Sequence, residues 1–180
     1  NQLPLQTLPE FATNMQPDTP CNSFLTSLYQ KERLFFMLRF GLAYVEEEGK
    51  DGQRQLQKHV MRYPQYFATR AIKDMISKGI KKGVIWHTQG SGKTALAYFN
   101  IRYLKNYFSK QSIIPKFYFV VDRLDLADQA YREFAKRGLR VKRINKPKEL
   151  NQKQDGYDVA VVNIQKFKDN SDLTDSSGYD

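Results

Sequence analysis

The stretch Val84-Ile85-Trp86-His87-Thr88-Gln89-Gly90-Ser91-Gly92-Lys93-Thr94 decides the fold of this 180-residue chain. It opens with three apolar residues, which predict a short buried strand of a parallel sheet. Gly90 and Gly92 follow, and glycine adopts positive φ without a steric penalty, so successive backbone N–H groups can converge on one anion. From Thr94 to about Phe108, apolar residues recur at steps of three and four, which predicts a helix. This order of elements predicts an anion site at the helix N-terminus.

The turn, hereafter the P-loop (His87–Thr94), matches the phosphate-binding pattern G-x-x-x-x-G-K-[ST] except that His87 replaces the first glycine. In such a loop Lys93 reaches the β- and γ-phosphates, and the hydroxyl of Thr94 binds Mg²⁺, so these two residues are the predicted catalytic ones. ATP and Mg²⁺ are the predicted cofactors. The alternative is a glycine-rich turn with a solvated Lys93, but the flanking elements favour phosphate binding. The predicted nucleotide-binding residues of the loop are Thr88, Gln89, Gly90, Ser91, Gly92, Lys93 and Thr94.

Strands and helices alternate after the P-loop. A second apolar run spans residues 117–121, an amphipathic helix is expected over 125–137, and a third apolar run spans 159–162. Right-handed crossovers between such strands give a parallel sheet covered by helices. The sequence therefore predicts an α/β fold of the P-loop NTPase (RecA-like) type, incomplete at its end and preceded by a helical linker.

The part before the P-loop has a different character. Residues 1 to about 20 contain four prolines and little periodicity, which is typical of an extended linker. A helix capped by Asn22 or Ser23 is expected to end near Gly41, a polar loop to cover residues 46–52, and a second helix to span 66–77.

The amino-acid composition excludes several classes of protein and of metal site. Hydrophobic residues make up 41% and charged residues 27%, so the chain can bury a core. A formal charge of +10 suits a polyanionic partner, although many basic proteins bind no nucleic acid. With one cysteine, Cys21, and two histidines, His59 and His87, disulfide scaffolds and multi-histidine metal sites are excluded. No apolar run suits a membrane span, and the start without a methionine suggests a piece of a longer chain.

The P-loop with its first glycine replaced resembles the first motif of superfamily 2 helicases and translocases. Upstream, Arg62-Tyr63-Pro64-Gln65 followed by Phe67-Ala68 is similar to the Q motif of that superfamily, which reads adenine. One glutamine amide donates and accepts at once, which suits the N6 and N7 edge of adenine. The resemblance thus assigns Gln65 to the base, and an ordinary position on a helix surface is the alternative.

Two later stretches strengthen the resemblance. Phe119-Val120-Val121-Asp122-Arg123, with Leu126 and Gln129, resembles motif Ia, and Asn163-Ile164-Gln165-Lys166-Phe167 resembles the Ib/Ic region. Both motifs leave a strand end and touch nucleic acid in that superfamily. The resemblance therefore implies DNA contacts by Arg123, Gln129 and Gln165.

Taken together, these phrases most closely resemble the R subunit of type I restriction-modification enzymes, over about residues 22 to 168. The helix containing Arg33, Leu34, Leu38 and Phe40 resembles the segment that joins nuclease to motor in that subunit. R subunits use ATP to pull double-stranded DNA past a methyltransferase–specificity core in the bacterial cytoplasm, and they cut it far from the recognition site. The resemblance implies that residues 1–60 are this linker and that 61–180 begin the first motor lobe, truncated before the Walker B motif.

Other functions stay open on the sequence alone. They are another superfamily 2 DNA or RNA helicase, a small-molecule P-loop kinase, and a module that keeps the fold but binds no nucleotide. Two tempting motifs are discounted: Asp122 as a Walker B acid, because Arg123 follows it, and Glu48-Gly49-Lys50 as a nuclease E-x-K, because it lies in a polar, glycine-bearing stretch. A basic run could track a DNA backbone or be a solvated surface; it comprises Arg132, Lys136, Arg137, Arg140, Lys142, Arg143, Lys146 and Lys148.

Overall fold

A computed structural model describes residues 29–48, 52–146, 149 and 156–165. The described elements, in chain order, are α1 (Lys31–Phe40), β1 (Leu42–Glu48), β2 (Arg54–Val60), α2 (Tyr63–Ser77), α3 (Lys93–Ser109), β3 (Tyr118–Val121), α4 (Leu124–Lys136), β4 (Val141–Ile144) and β5 (Val159–Asn163). The predicted linker over residues 1 to 20 and the predicted start of the first helix lie outside the described residues. Among the described helices, none is both long and apolar enough to cross a membrane.

A three-stranded parallel sheet organises the C-terminal part, with the strand order β3-β5-β4. Residue pairs run from Tyr118↔Ala160 to Val121↔Asn163 on one side of β5, and from Val141↔Val159 to Ile144↔Val162 on the other. Every residue of β5 is buried, as the apolar run over residues 159–162 leads one to expect, and the polar Asn163 at its end is buried too. The predicted α/β class with a parallel sheet is confirmed in this coarse form.

Helix α4 covers the sheet and connects β3 to β4, because strands that run parallel in one sheet need a crossover connection. Its Phe134 is fully buried and meets the ring of Phe119 edge-on at 5.2 Å between centroids. Such an edge-to-face pair stabilises the fold by about 1 kcal/mol beyond the contribution of the apolar area that the rings bury. Helix α3 contacts both α2 and α4, and it buries Leu96, Phe99 and Leu104.

Three helix predictions and two strand predictions are confirmed to within a few residues. Helices α3 and α4 begin one residue earlier than predicted, and β3 and β5 coincide with the two later apolar runs. Helix α2 begins at Tyr63, three residues before the predicted start, because Pro64 fits the first turn and the side chain of Gln65 accepts a hydrogen bond from the Arg62 backbone at 2.9 Å. The helix predicted to end near Gly41 is described only in its later part, which is α1 and ends at Phe40.

The prediction that Val84-Ile85-Trp86 forms a buried strand is wrong. The described residues place this run in no strand, and Val84 and Trp86 are each 91% exposed. An apolar run becomes a buried strand only when a neighbouring strand pairs with its backbone and another layer covers it. No described strand pairs with this segment, and its side chains are exposed.

The sequence patterns also missed three strands. Residues 46–48, predicted as part of a polar loop, belong to β1, which pairs with β2 in a separate two-stranded sheet. Strand β4 lies inside the basic run, where Lys142 and Arg143 stand between Val141 and Ile144. Tertiary pairing overrides the weak strand preference of charged residues.

The described residues fall into two compact units, one ending at Leu42 and one beginning at Ala43. The first contains α1, in which Phe36 is buried and its ring lies 5.4 Å from that of Phe40. The second contains both sheets and the three later helices. The functional boundary expected at residue 60 stays a prediction.

Candidate functional site

The P-loop forms a tight turn between the extended segment 84–86 and α3. Gly90 and Gly92 have φ of +75° and +77°, in the left-handed region that favours glycine. The Ser91 N–H donates to the Thr88 carbonyl at 3.4 Å, which closes the turn. Both glycines therefore have the positive φ that the sequence predicts for this loop.

The N-terminus of α3 meets the loop without a capping side chain. Its first-turn N–H groups have no acceptor inside the helix, because an α-helix leaves its first four donors unpaired. The N-cap is Gly92, no side chain caps this end, and the first turn carries no acidic residue. Donors and helix dipole are thus directed at the place where an anion would lie. This chemistry fits the phosphates of a nucleotide.

Lys93 and Thr94 occupy the first two positions of α3. The ammonium Nζ of Lys93 donates to the Thr88 carbonyl at 2.8 Å, so the exposed lysine folds back along the loop. Thr94 is half-buried on the same turn. Gln89 is exposed at the turn. Contacts of Lys93, Thr94 and Gln89 with a nucleotide stay predictions.

Gln65 lies against the P-loop and is 3% exposed. Its Nε2 donates to the carbonyls of Gly92 at 3.0 Å and of Ser91 at 3.4 Å, and its Oε1 accepts from the Arg62 backbone. The structure thus brings Gln65 to the P-loop, where its amide bonds the loop backbone. Adenine recognition by Gln65 stays a prediction.

A small cavity of about 200 Å³ lies beside the start of α3. Two buried polar atoms, Nδ1 of His87 and Oδ1 of Asn100, have no hydrogen-bond partner among the described residues. Asn100 was not among the predicted site residues, although it lies seven positions after Lys93 and so returns to the same face of α3. The lining consists of Ile85, His87, Lys93, Leu96, Ala97 and Asn100.

The parallel sheet brings two predicted DNA-contacting residues to one edge. Val121 pairs with Asn163, and Arg123 and Gln165 each follow two residues later. Both therefore lie at the carboxyl ends of neighbouring strands. Arg123 forms hydrogen bonds of 3.1 and 2.7 Å with the Asp125 carboxylate, and this arginine lowers the pKa of Asp125. Gln129 is exposed on α4.

Some residues of the basic run form ion pairs within the chain, and others do not. Arg137 pairs with Glu133, Arg140 with Asp158 at 3.4 Å, and Arg143 with Asp128 at 2.7 Å. Each of these arginines therefore has a carboxylate of the same chain as its partner. Lys148 lies outside the described residues. Three exposed members of the run form no ion pair with another described residue: Arg132, Lys136 and Lys146.

The described residues contain no cluster of three or more His, Cys, Asp or Glu side chains suited to a metal ion. Of the discounted E-x-K, Glu48 ends β1, while Gly49 and Lys50 lie outside the described residues. Asp122 is exposed in the turn after β3. The Mg²⁺ contact of Thr94 stays a prediction.

Comparison with known families gives one match to a family model. The model of the SWI2/SNF2 ATPase family matches residues 64–178, which include α2, the P-loop and the parallel sheet. The match thus covers the site from Gln65 to Gln165.

Curated relatives agree on one kind of protein. The putative type I restriction enzyme MjaVIIP endonuclease subunit of Methanocaldococcus jannaschii is 39% identical over 107 residues, which is 56% of this chain and 10% of the relative. The type I restriction enzyme SauCOLORF180P endonuclease subunit of Staphylococcus aureus is 38% identical over 76 residues, 42% of this chain and 8% of the relative. The putative MjaIXP endonuclease subunit, also of Methanocaldococcus jannaschii, is 26% identical over 163 residues, 84% of this chain and 14% of the relative. The chain thus spans about a tenth of the length of these relatives.

Proposed function

Because the chain belongs to the SWI2/SNF2 ATPase family, we propose that its P-loop binds the phosphates of ATP. The observation that carries this proposal is the uncapped start of α3 beside two glycines at positive φ. The free N–H groups would donate to phosphate oxygens, and Lys93 would leave the Thr88 carbonyl for the β- and γ-phosphates. The hydroxyl of Thr94 would hold Mg²⁺, which supplies charge neutralisation during phosphoryl transfer.

The proposal also covers the fold type and the functional segments of the chain. Residues 61–180 would be the N-terminal part of a RecA-like motor lobe, and residues 1–60 would connect it to a nuclease domain. The order of parallel strands and crossover helix supports this assignment. The extended apolar segment 84–86 would pair with sheet strands that the described residues do not supply.

The complete protein would be the R subunit of a type I restriction enzyme. It would couple ATP hydrolysis to translocation and cleavage of double-stranded DNA, together with methyltransferase and specificity subunits, in the cytoplasm. Several relatives named as type I restriction endonuclease subunits support this proposal. The shared sheet edge of Arg123 and Gln165 would face DNA, with Gln129 on the adjoining helix.

Calorimetric titration of the full chain with ATP and Mg²⁺ tests the proposed site. We expect saturable binding that Lys93→Ala removes, because the ammonium closes the anion site. Lys116→Ala removes a lysine outside the P-loop that is also exposed, and it should leave the affinity unchanged. Silence of the native chain towards ATP would refute the proposal, and affinity for a small phosphate acceptor without affinity for DNA would favour a kinase.

A further inference from the structure

The side-chain amide of Gln65 is committed within the chain. Its Oε1 accepts from the Arg62 N–H at 2.9 Å, which anchors the side chain at the start of α2. Its Nε2 hydrogens are directed at the carbonyls of Gly92, at 3.0 Å, and Ser91, at 3.4 Å. A buried amide with both ends bonded has few accessible rotamers, so it forms a rigid connection between α2 and the P-loop.

These two carbonyls belong to the peptide units that carry the site's donors. A peptide unit is planar and trans, so its C=O and N–H point in opposite directions. The Gly92 carbonyl shares its unit with the Lys93 N–H, and it accepts from both Gln65 and the Leu96 N–H, the latter at 2.9 Å. The Ser91 carbonyl shares its unit with the Gly92 N–H. Holding the carbonyls on Gln65 therefore directs two N–H groups away from Gln65, towards the anion site.

The close contact between Gln65 and Gly92 leaves little room for other side chains at either position. A Cβ on Gly92 would lie 2.7 Å from Nε2 of Gln65, so the glycine lets the amide approach the backbone. A glutamate at position 65 would lack the donor hydrogens and would set a carboxylate against two carbonyl oxygens. A methionine would keep the length and lose all three hydrogen bonds, which leaves the half-buried Gly92 carbonyl with one donor fewer.

We propose that Gln65 is a positioning residue that holds the P-loop in its anion-binding conformation before the nucleotide arrives. This inference rests on the proposed phosphate-binding function of the loop. In this role Gln65 affects phosphate binding through the loop backbone, whether or not it also contacts the adenine base. Gln65 then contributes to the affinity for any polyphosphate, since the ordering of two donors is complete before binding.

The test compares ATP, GTP and inorganic tripolyphosphate, each with Mg²⁺, by calorimetric titration of the full chain and of Gln65→Met and Gln65→Glu. We expect each variant to bind all three ligands about ten-fold more weakly, by a common factor, because the lost hydrogen bonds act on the phosphate donors. Gln57→Met changes an exposed glutamine on β2 and should leave all three affinities as they are. Backbone amide NMR shifts of Gly92 and Lys93 should change in the Gln65 variants without ligand.

The outcomes separate the possibilities. Weaker ATP binding with unchanged affinity for tripolyphosphate would overturn the inference and assign Gln65 to the adenine. Unchanged affinities for all three ligands in a folded Gln65→Met would overturn it too, and circular dichroism identifies which variants fold. A native chain that binds none of the three ligands would instead refute the proposed function.

Discussion

The carboxylate of Asp158 accepts a hydrogen bond of 2.5 Å from the Nζ of Lys105, which joins the residue before β5 to α3. Its other oxygen accepts a 2.9 Å bond from the backbone N–H of Arg140, the residue before β4. Burial by itself raises the pKa of Asp158, but the hydrogen bonds from Lys105 and Arg140 outweigh it and lower the pKa from 3.8 to about 2. One carboxylate thus fixes the starts of two parallel strands against a helix.

We expect Asp158→Asn to lower the free energy of unfolding at neutral pH by about 1 to 2 kcal/mol, a value reduced for the half-exposed Lys105. Because the folded-state pKa is lower than the unfolded one, the stabilisation is complete above about pH 5 and is lost as the pH falls towards 2. Urea denaturation at a series of pH values measures this. The curves of the native chain and the variant should converge at the acidic end.

The matched control for Asp158 is Asp128→Asn. Asp128 pairs with Arg143 at 2.7 Å, but its side chain is 48% exposed, and an exposed pair contributes little. We expect it to cost less than about 0.5 kcal/mol. If both variants lower the free energy of unfolding equally, the buried carboxylate of Asp158 stabilises the fold no more than an exposed ion pair does.

Gly92→Ala should damage the P-loop more than Gly79→Ala damages its own turn. The φ angles are +77° and +76°, so each alanine costs about 1 kcal/mol of backbone strain. Only at Gly92 would the new Cβ also collide, 2.7 Å from Nε2 of Gln65. Thermal denaturation with and without tripolyphosphate distinguishes them: we expect the ligand to stabilise Gly79→Ala and to leave Gly92→Ala unchanged. Ligand stabilisation of both variants would contradict this.

Arg123→Gln should flatten the salt dependence of the affinity for double-stranded DNA by about one released counterion. The reason is its position beside Gln165 at the carboxyl edge of β3 and β5. Arg54→Gln serves as the control, because Arg54 is also exposed and lies 3.9 Å from a carboxylate, that of Glu46 on the separate sheet. Fluorescence anisotropy at several salt concentrations gives both slopes. If the two variants change the slope alike, the sheet edge does not bind the backbone.

Trp86, the chain's only tryptophan, reports on the extended segment before the P-loop. Since it is 91% exposed, we expect acrylamide to quench it about as strongly in the folded chain as in urea. Trp86→Ser should change the free energy of unfolding by less than about 0.5 kcal/mol. By comparison, Phe134→Ala, at a fully buried ring, should cost about 3 to 5 kcal/mol. Protected, blue-shifted Trp86 emission would contradict the exposed placement.

The 180-residue chain by itself should bind ATP and hydrolyse almost none. After Val162 its sequence contains no adjacent Asp-Glu pair to hold Mg²⁺ and orient water. A phosphate-release assay should give background rates for the native chain and for Lys93→Ala alike. Release that exceeds background in the native chain and disappears in Lys93→Ala would refute this prediction.

Local patterns in the sequence were enough to predict the elements whose formation depends on near neighbours. Helix α3 and the turn at Gly90 and Gly92 follow from periodicity and from the conformational freedom of glycine, both properties of a short segment. Strand β5 follows from an apolar run that is buried on both faces. These elements predicted the phosphate site and the parallel sheet.

Only the tertiary structure decided what depends on distant partners. The segment 84–86 has the composition of a strand, but a strand needs a second backbone to pair with, and none of the described strands supplies it. Strand β4 forms from a basic run because β5 pairs with it. Gln65 bonds Ser91 and Gly92, 26 and 27 residues further along the chain. Hydrogen bonds and burial over such separations depend on how the chain packs, and a local sequence pattern carries no information about that packing.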